Sequence, residues 1–349
     1  MGFKRMFNAV ETHCGEPMRV VTSGIPTIPG NSVYEQSQWL KEHDDQFRKL
    51  MLREPRGYPP LCCNLIVPAR NPRARAGYII MEQTEYPMMS GGNTISVATA
   101  LLETGMIPMK EPVTEFYLEA PAGLIGIRAD CENGKAKQIT FSNVPAFAVY
   151  LDKVIDVPHL GKVRVDVAWG GMFYVLIDVR QFEALRLVPE MGKEIARVSA
   201  LCMKAAQEQL KVEHPDYPGI GITISELHGP TDNPNADWKS VNTVFTGEID
   251  FDRPETWTGA LDRCACGTGT CALMAAKVAK GELKIGQRFR REGLLGIIFT
   301  GYPVEETEIH GHKAIIPTIG GEAWIYGFSQ YVLDETDPFP EGFTVGDIW

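Results

Sequence analysis

Two stretches of this chain run in step. MMSGGNTISVATALLETG occupies residues 88–105 and CACGTGTCALMAAKVAKG residues 264–281. With Ser90 set against Cys266, Gly91 meets Gly267, Thr94 meets Thr270, Ala100 meets Ala276 and Gly105 meets Gly281. The distance from first residue to closing glycine is the same in both (105 − 90 = 15 and 281 − 266 = 15). A second matched pair follows in the same order, GLIGI at 123–127 and GLLGI at 293–297. Two matched segments about half a chain apart indicate a duplicated domain.

Each stretch reads as a glycine-rich turn feeding a helix, from about Asn93 to Thr104 in the first copy, with a glycine at the C′ position. Both helices are hydrophobic nearly all round. A helix of that kind is buried on every side, so each is expected at the centre of its own domain, wrapped by sheet. Gly91-Gly92 and Gly267-Thr268-Gly269 then present backbone N–H groups at the positive end of a helix dipole, which suits a carboxylate. Ser90 taken alone reads as a plain helix N-cap. The repeat argues for more, because it puts a thiol at the same place in the second copy.

The chain has 349 residues, 44% hydrophobic and 22% charged, enough for two domains that each enclose a core. Net charge is −10 with no long basic run, which argues against nucleic-acid or anionic-membrane partners. No apolar stretch reaches the roughly 18 residues that span a bilayer. The start lacks a secretory core, and Met6 falls where a myristoylation signal wants Ser or Thr. The eight cysteines show no disulfide framework, and a reduced, cytoplasmic protein is expected. Cys264, Cys266 and Cys271 lack the spacing of a metal knuckle, so no metal is expected.

Strand-like alternation recurs in both halves, at 19–28, 62–69, 76–82, 114–121, 123–131 and 138–144, then at 162–171, 173–179, 240–250, 293–304, 314–325 and 327–334. HGH at 310–312 reads as a hairpin turn. Besides the two central helices, 34–55 and 193–211 read as helical. Helices threaded between sheets, twice over, predict an α/β (α+β) duplication of mixed sheet rather than a doubly wound parallel one. The expected halves are 1–152 with 335–349, carrying Ser90, and 155–332, carrying Cys266, with Pro-rich linkers near 145–158 and 335–341. The active site is expected in the cleft between them.

Four motifs then point to a family. DRCACGTGTCA (262–272) resembles the DRSPCGTGT-type signature of the proline racemase family, and MSGGNT (89–94) its first catalytic loop, usually MCGHGT. ETHCGEPMRVV (11–21) is similar to its HTxGEP-type opening and VDVAWGG (165–171) to its mid-chain strand. The resemblance runs essentially the whole length. It implies a diaminopimelate-epimerase-like fold of two pseudo-symmetric domains, each with a central helix wrapped by mixed sheet. It also implies a cofactor-independent, metal-free enzyme of amino-acid catabolism acting on proline or hydroxyproline, with a small molecule as its partner and room for a homodimer. By the same resemblance Ser90 and Cys266 are the catalytic pair and Asp262 holds the substrate's ring nitrogen. Gly91, Gly92, Gly267 and Thr268 receive its carboxylate. Two departures stand out: Gly92 replaces a usual His, and Ser90 a usual Cys.

Proton abstraction at Cα without a cofactor needs a base on one face, an acid on the other, and a carboxylate held where charge grows. A thiol at a helix N-terminus is expected to ionise near neutrality, whereas a serine hydroxyl is a far weaker acid. In the family, Ser at the first position leans towards trans-3-hydroxy-L-proline dehydratases and Cys at the second towards epimerases. A 2-epimerase or racemase is therefore the first reading, with the dehydratase, a lyase, and a non-catalytic imino-acid-binding protein as alternatives.

Overall fold

The computed structural model of the chain describes residues 3–245 and 247–346. Met1, Gly2, Thr246 and 347–349, on which the readings of the chain start, the 240–250 strand and the first half touch, lie outside them. The chain divides into two units, Met1–Phe141 with Gly321–Trp349, and Ser142–Gly320. The divisions thus fall at 141/142 and 320/321, where the sequence pattern places them near 152–155 and 332–335.

In chain order the first unit runs β1 (Phe3–His13), β2 (Pro17–Ser23), α1 (Val33–His43), α2 (Asp45–Leu52), β3 (Cys62–Val67), β4 (Ala76–Met81), α3 (Gly91–Glu103), β5 (Val113–Ala120), β6 (Gly123–Glu132) and β7 (Lys135–Ser142). The second runs β8 (Ala146–Val157), β9 (Gly161–Trp169), β10 (Phe173–Asp178), α4 (Gly192–Gln209), β11 (Ile222–Gly229), β12 (Trp238–Val244), β13 (Ala260–Leu261), α5 (Gly267–Ala279), β14 (Phe289–Glu292), β15 (Ile298–Ile309) and β16 (His312–Gly321). The chain then returns to the first unit as β17 (Trp324–Asp334).

Strand pairing repeats between the units. In the first, β1 and β2 form an antiparallel hairpin, β2 and β3 pair in parallel across α1 and α2, and β3 and β4 are antiparallel. There β4 and β5 are parallel across α3, and β5 and β6 antiparallel. The second unit gives the same series: β9–β10 antiparallel, β10–β11 parallel across α4, and β11–β12 antiparallel. It continues with β12–β14 parallel across α5 and β14–β15 antiparallel. A parallel pair needs a crossover long enough for a helix, which is why α3 and α5 fall at matching points. Pairing in each unit is mixed, as the sequence pattern predicts.

The central helices follow their apolar pattern. Every residue of α3 from Gly91 to Leu102 is buried, and every residue of α5 from Gly267 to Ala276. Side chains such as Ile95, Val97, Leu101 and Leu102 are at most 2% exposed, each contributing about 1.5–3 kcal/mol over an exposed state. Both helices close at a glycine with positive φ, Gly105 at +75° and Gly281 at +73°. The helix expected at 34–55 breaks into α1 and α2 at Asp44, whose φ −144° and ψ 44° leave the helical region.

Two further sequence readings need correction. The Pro-flanked stretch at 145–158 is strand β8, antiparallel to β9, and not a linker. GLIGI opens β6, but GLLGI is the reverse turn ahead of β15, closed by the Gly293 N–H on the Ile297 carbonyl. The two pentapeptides are therefore not equivalent strands. HGH does mark a two-residue turn, with Ile309 paired to His312.

Candidate active site

Ser90 is the N-cap residue of α3, yet its side chain makes no capping bond. Its Oγ instead accepts a hydrogen bond of 2.8 Å from Nδ2 of Asn93, three residues on. Asn93 Oδ1 in turn accepts from Asn64 Nδ2 of β3 at 2.6 Å. The turn is fastened from behind by Thr94, whose N–H and hydroxyl both donate to the Ser90 carbonyl, at 2.9 and 2.7 Å. Tyr78 of β4 meets the Thr94 hydroxyl at 2.6 Å. Gly91 and Gly92 are buried in this turn.

Cys266 holds the same place on α5. Thr270 repeats the fastening, its N–H and hydroxyl donating to the Cys266 carbonyl at 3.0 and 2.7 Å. The backbone of Cys266 differs from that of Ser90: its φ is +49°, a left-handed value that is strained for a residue with a side chain. What over-determines it is Arg291 of β14, fully buried, whose guanidinium reaches the Cys266 carbonyl at 3.4 Å and the Thr270 hydroxyl at 3.1 Å. Arg291 also bonds Asn242 Oδ1 at 2.6 Å and pairs with fully buried Glu226 at 3.0 Å. This ionic layer lies directly beneath the first turn of α5. A Cβ on Gly269 would stand 2.5 Å from Asn242 Nδ2, 2.6 Å from Glu226 Oε2 and 3.0 Å from the Arg291 guanidinium, so only glycine fits. On the other side of the turn, a Cβ on Gly170 would collide with the Thr268 carbonyl, which accounts for the first glycine of AWGG.

Tyr174 of β10 is 1% exposed, and its hydroxyl is 2.7 Å from Thr268 Oγ1 and 3.5 Å from Cys266 Sγ. Burial and the nearby Asp262 carboxylate hold the Cys266 thiol well above its ordinary pKa, against the pull of Arg291, Tyr174 and the Gly269 N–H. This corrects the expectation that the helix end alone makes it a thiolate near neutrality: desolvation of a nearly enclosed sulfur outweighs the dipole. Asp262 is itself pushed up to about 6 by burial, while a hydrogen bond from the Cys266 thiol and the charges of Arg291 and Arg263 pull it down. Ser90 with Gly91 and Gly92 thus forms one cluster, and Cys266 with Asp262, Gly267 and Thr268 a second, each at its own helix N-terminus. Among the described residues no group of three or more His, Cys, Asp or Glu could hold a metal ion.

Sequence reading misses Asn93, Asn64, Tyr174, Arg291, Glu226 and Asn242. Asn93 stands inside the quoted loop and Tyr174 three residues past AWGG. The others sit on strands with no motif around them, and only folding brings them under the helix ends.

The sequence profile of the proline racemase family matches residues 9–344. A proline racemase of Clostridioides difficile is 36% identical over 345 residues, covering 98% of this chain and 99% of that protein. A solved hydroxyproline epimerase from Agrobacterium vitis, with bound trans-4-OH-L-proline, is 36% identical with a TM-score of 0.92, covering 100% of this chain and 97% of that one. A probable proline racemase from Agrobacterium radiobacter K84, with bound carbonate, is 34% identical with a TM-score of 0.90, covering 98% of each. A phenazine biosynthesis protein of the PhzF family from Bacillus anthracis, 11% identical with a TM-score of 0.54, shares the fold alone. The fold is the diaminopimelate-epimerase-like one, mixed α/β. The chain belongs to the proline racemase family, and its proline racemase and hydroxyproline epimerase homologues make it an isomerase of the amino-acid racemase and epimerase class.

Proposed function

We propose that this chain is a proline or hydroxyproline 2-epimerase in which Ser90 and Cys266 exchange a proton at Cα from opposite faces, without a cofactor. The observation that carries the reading is the equivalence of the two helix ends: a hydroxyl and a thiol occupy the same position, each fastened by the same threonine device. The substrate carboxylate is received by the first-turn N–H groups at Gly91, Gly92, Gly267 and Thr268, where enolate charge grows during deprotonation. Asp262 pairs with the ring nitrogen. A cationic nitrogen beside Asp262 offsets the carboxylate's share in holding the Cys266 thiol up, while burial, the larger cause, remains.

Relatives support the substrate class, since the Agrobacterium vitis protein is a hydroxyproline epimerase with trans-4-OH-L-proline bound. Incubation with L-proline, trans-4-hydroxy-L-proline and trans-3-hydroxy-L-proline in D2O tests the assignment. Deuterium at Cα with inverted configuration is the expected result. A pyrroline product would replace it with the dehydratase, and binding without exchange with an imino-acid carrier.

A further inference from the structure

The two helix ends carry different equipment three residues in. Counting from Ser90 the position is Asn93, fully buried; counting from Cys266 it is Gly269, where Asn242, Glu226 and Arg291 leave no room for a side chain. The amide of Asn93 has its oxygen end occupied by Asn64, which leaves the N–H end on Ser90 Oγ. We propose that Asn93 is the positioning residue that lets a serine serve where a thiol otherwise would, a role that rests on the epimerase reading above.

The chemistry follows from the donor direction. Because a lone pair of Oγ is taken by the Asn93 N–H, the hydroxyl proton is the part of Ser90 left to give. When Ser90 protonates Cα, the O–H bond breaks, the enolate's electron pair forms the C–H bond, and the negative charge passes to Oγ. A hydrogen bond to an anion is roughly twice as strong as one between neutral groups. The Asn93 N–H therefore holds the developing alkoxide more tightly than it holds the hydroxyl, and lowers the barrier by that difference. Asn64 fixes the amide's orientation from β3, a rigid element between β2 and β4. At the matching position beneath Cys266, Gly269 offers the sulfur only its backbone N–H, so the side-chain donor is confined to the serine end.

The test is a set of four proteins: wild type, Asn93→Ala, Ser90→Cys and Ser90→Cys/Asn93→Ala. Each is assayed for epimerisation of L-proline and trans-4-hydroxy-L-proline, for Kd of pyrrole-2-carboxylate, and for thermal unfolding. Asn93→Ala is expected to lower kcat roughly tenfold to a hundredfold with Kd moved less than about threefold. In the Ser90→Cys background the same change is expected to cost less than about threefold in kcat. Asn93→Asp, which keeps the volume and removes the N–H, covers the case in which alanine does not fold, and the same loss is expected. Equal losses with Ser90 intact and in the Ser90→Cys background would show a merely structural asparagine and overturn the proposal. A wild type that exchanges no deuterium with either substrate would overturn the epimerase reading and the proposal together, an outcome distinct from the first.

Discussion

At Asp262 the carboxyl is pushed up to about 6, and the sign of that shift fixes two measurements. In the unfolded chain the group ionises near its ordinary 3.8, so ionisation favours the unfolded state as pH rises. The cost of burying Asp262 is absent below about pH 4 and complete above about pH 6. Asp262→Asn is therefore expected to stabilise the protein by roughly 1 kcal/mol at pH 8, after discounting for the group's partial exposure, with the gap closing by pH 4. Differential scanning calorimetry at the two pH values checks it. Affinity moves the other way: a cationic imino acid loses its partner as pH falls through about 6, whereas the asparagine variant should show weak binding with a flat profile. The same substitution removes the charge that raises the Cys266 thiol, so alkylation by iodoacetamide should titrate at lower pH in Asp262→Asn than in the wild type. An unchanged alkylation profile would mean that burial alone sets the thiol.

Helices α3 and α5 show how much an element can announce itself. Their all-round hydrophobicity, paired spacing and closing glycines make both helices, their burial and their equivalence legible in the sequence alone. Strand β8 cannot be read the same way, because its middle faces solvent and Pro145 and Pro158 bracket it like a linker. Strand β11 is nearly all buried, so no alternation marks it. For the site, Ser90 and Cys266 are legible through the repeat. The ionic layer under α5 is not, since Glu226, Asn242 and Arg291 come from three strands and meet only in the folded unit. That layer makes a prediction at the same scale. Gly269→Ala forces a methyl into the Asn242–Glu226–Arg291 cluster and should destabilise by about 1–3 kcal/mol, read as a lower denaturation midpoint at unchanged m.

For the molecule as a whole, a ligand that binds only the folded state raises stability by mass action, about 2.7 kcal/mol at a hundredfold excess over Kd. Pyrrole-2-carboxylate should accordingly raise Tm in a concentration-dependent way, and should leave Asp262→Ala unmoved, because a buried ring N–H loses its charged partner. A Tm rise retained in that variant would remove Asp262 from the ring nitrogen and leave it as a residue that extends the β13–β12 pairing. The arrangement of the chain carries a consequence of another kind. Strand β1 pairs with β17, and the Asn8–Gln330 contact joins residues 322 apart in sequence. A ribosome adding about 5–20 residues per second therefore keeps one edge of β1 waiting for tens of seconds. During that interval the second unit, a single uninterrupted stretch, is synthesised whole and free to fold, while the first still offers an open strand edge to any passing chain. Strand β17 is thus the late cover for the first strand of its own unit.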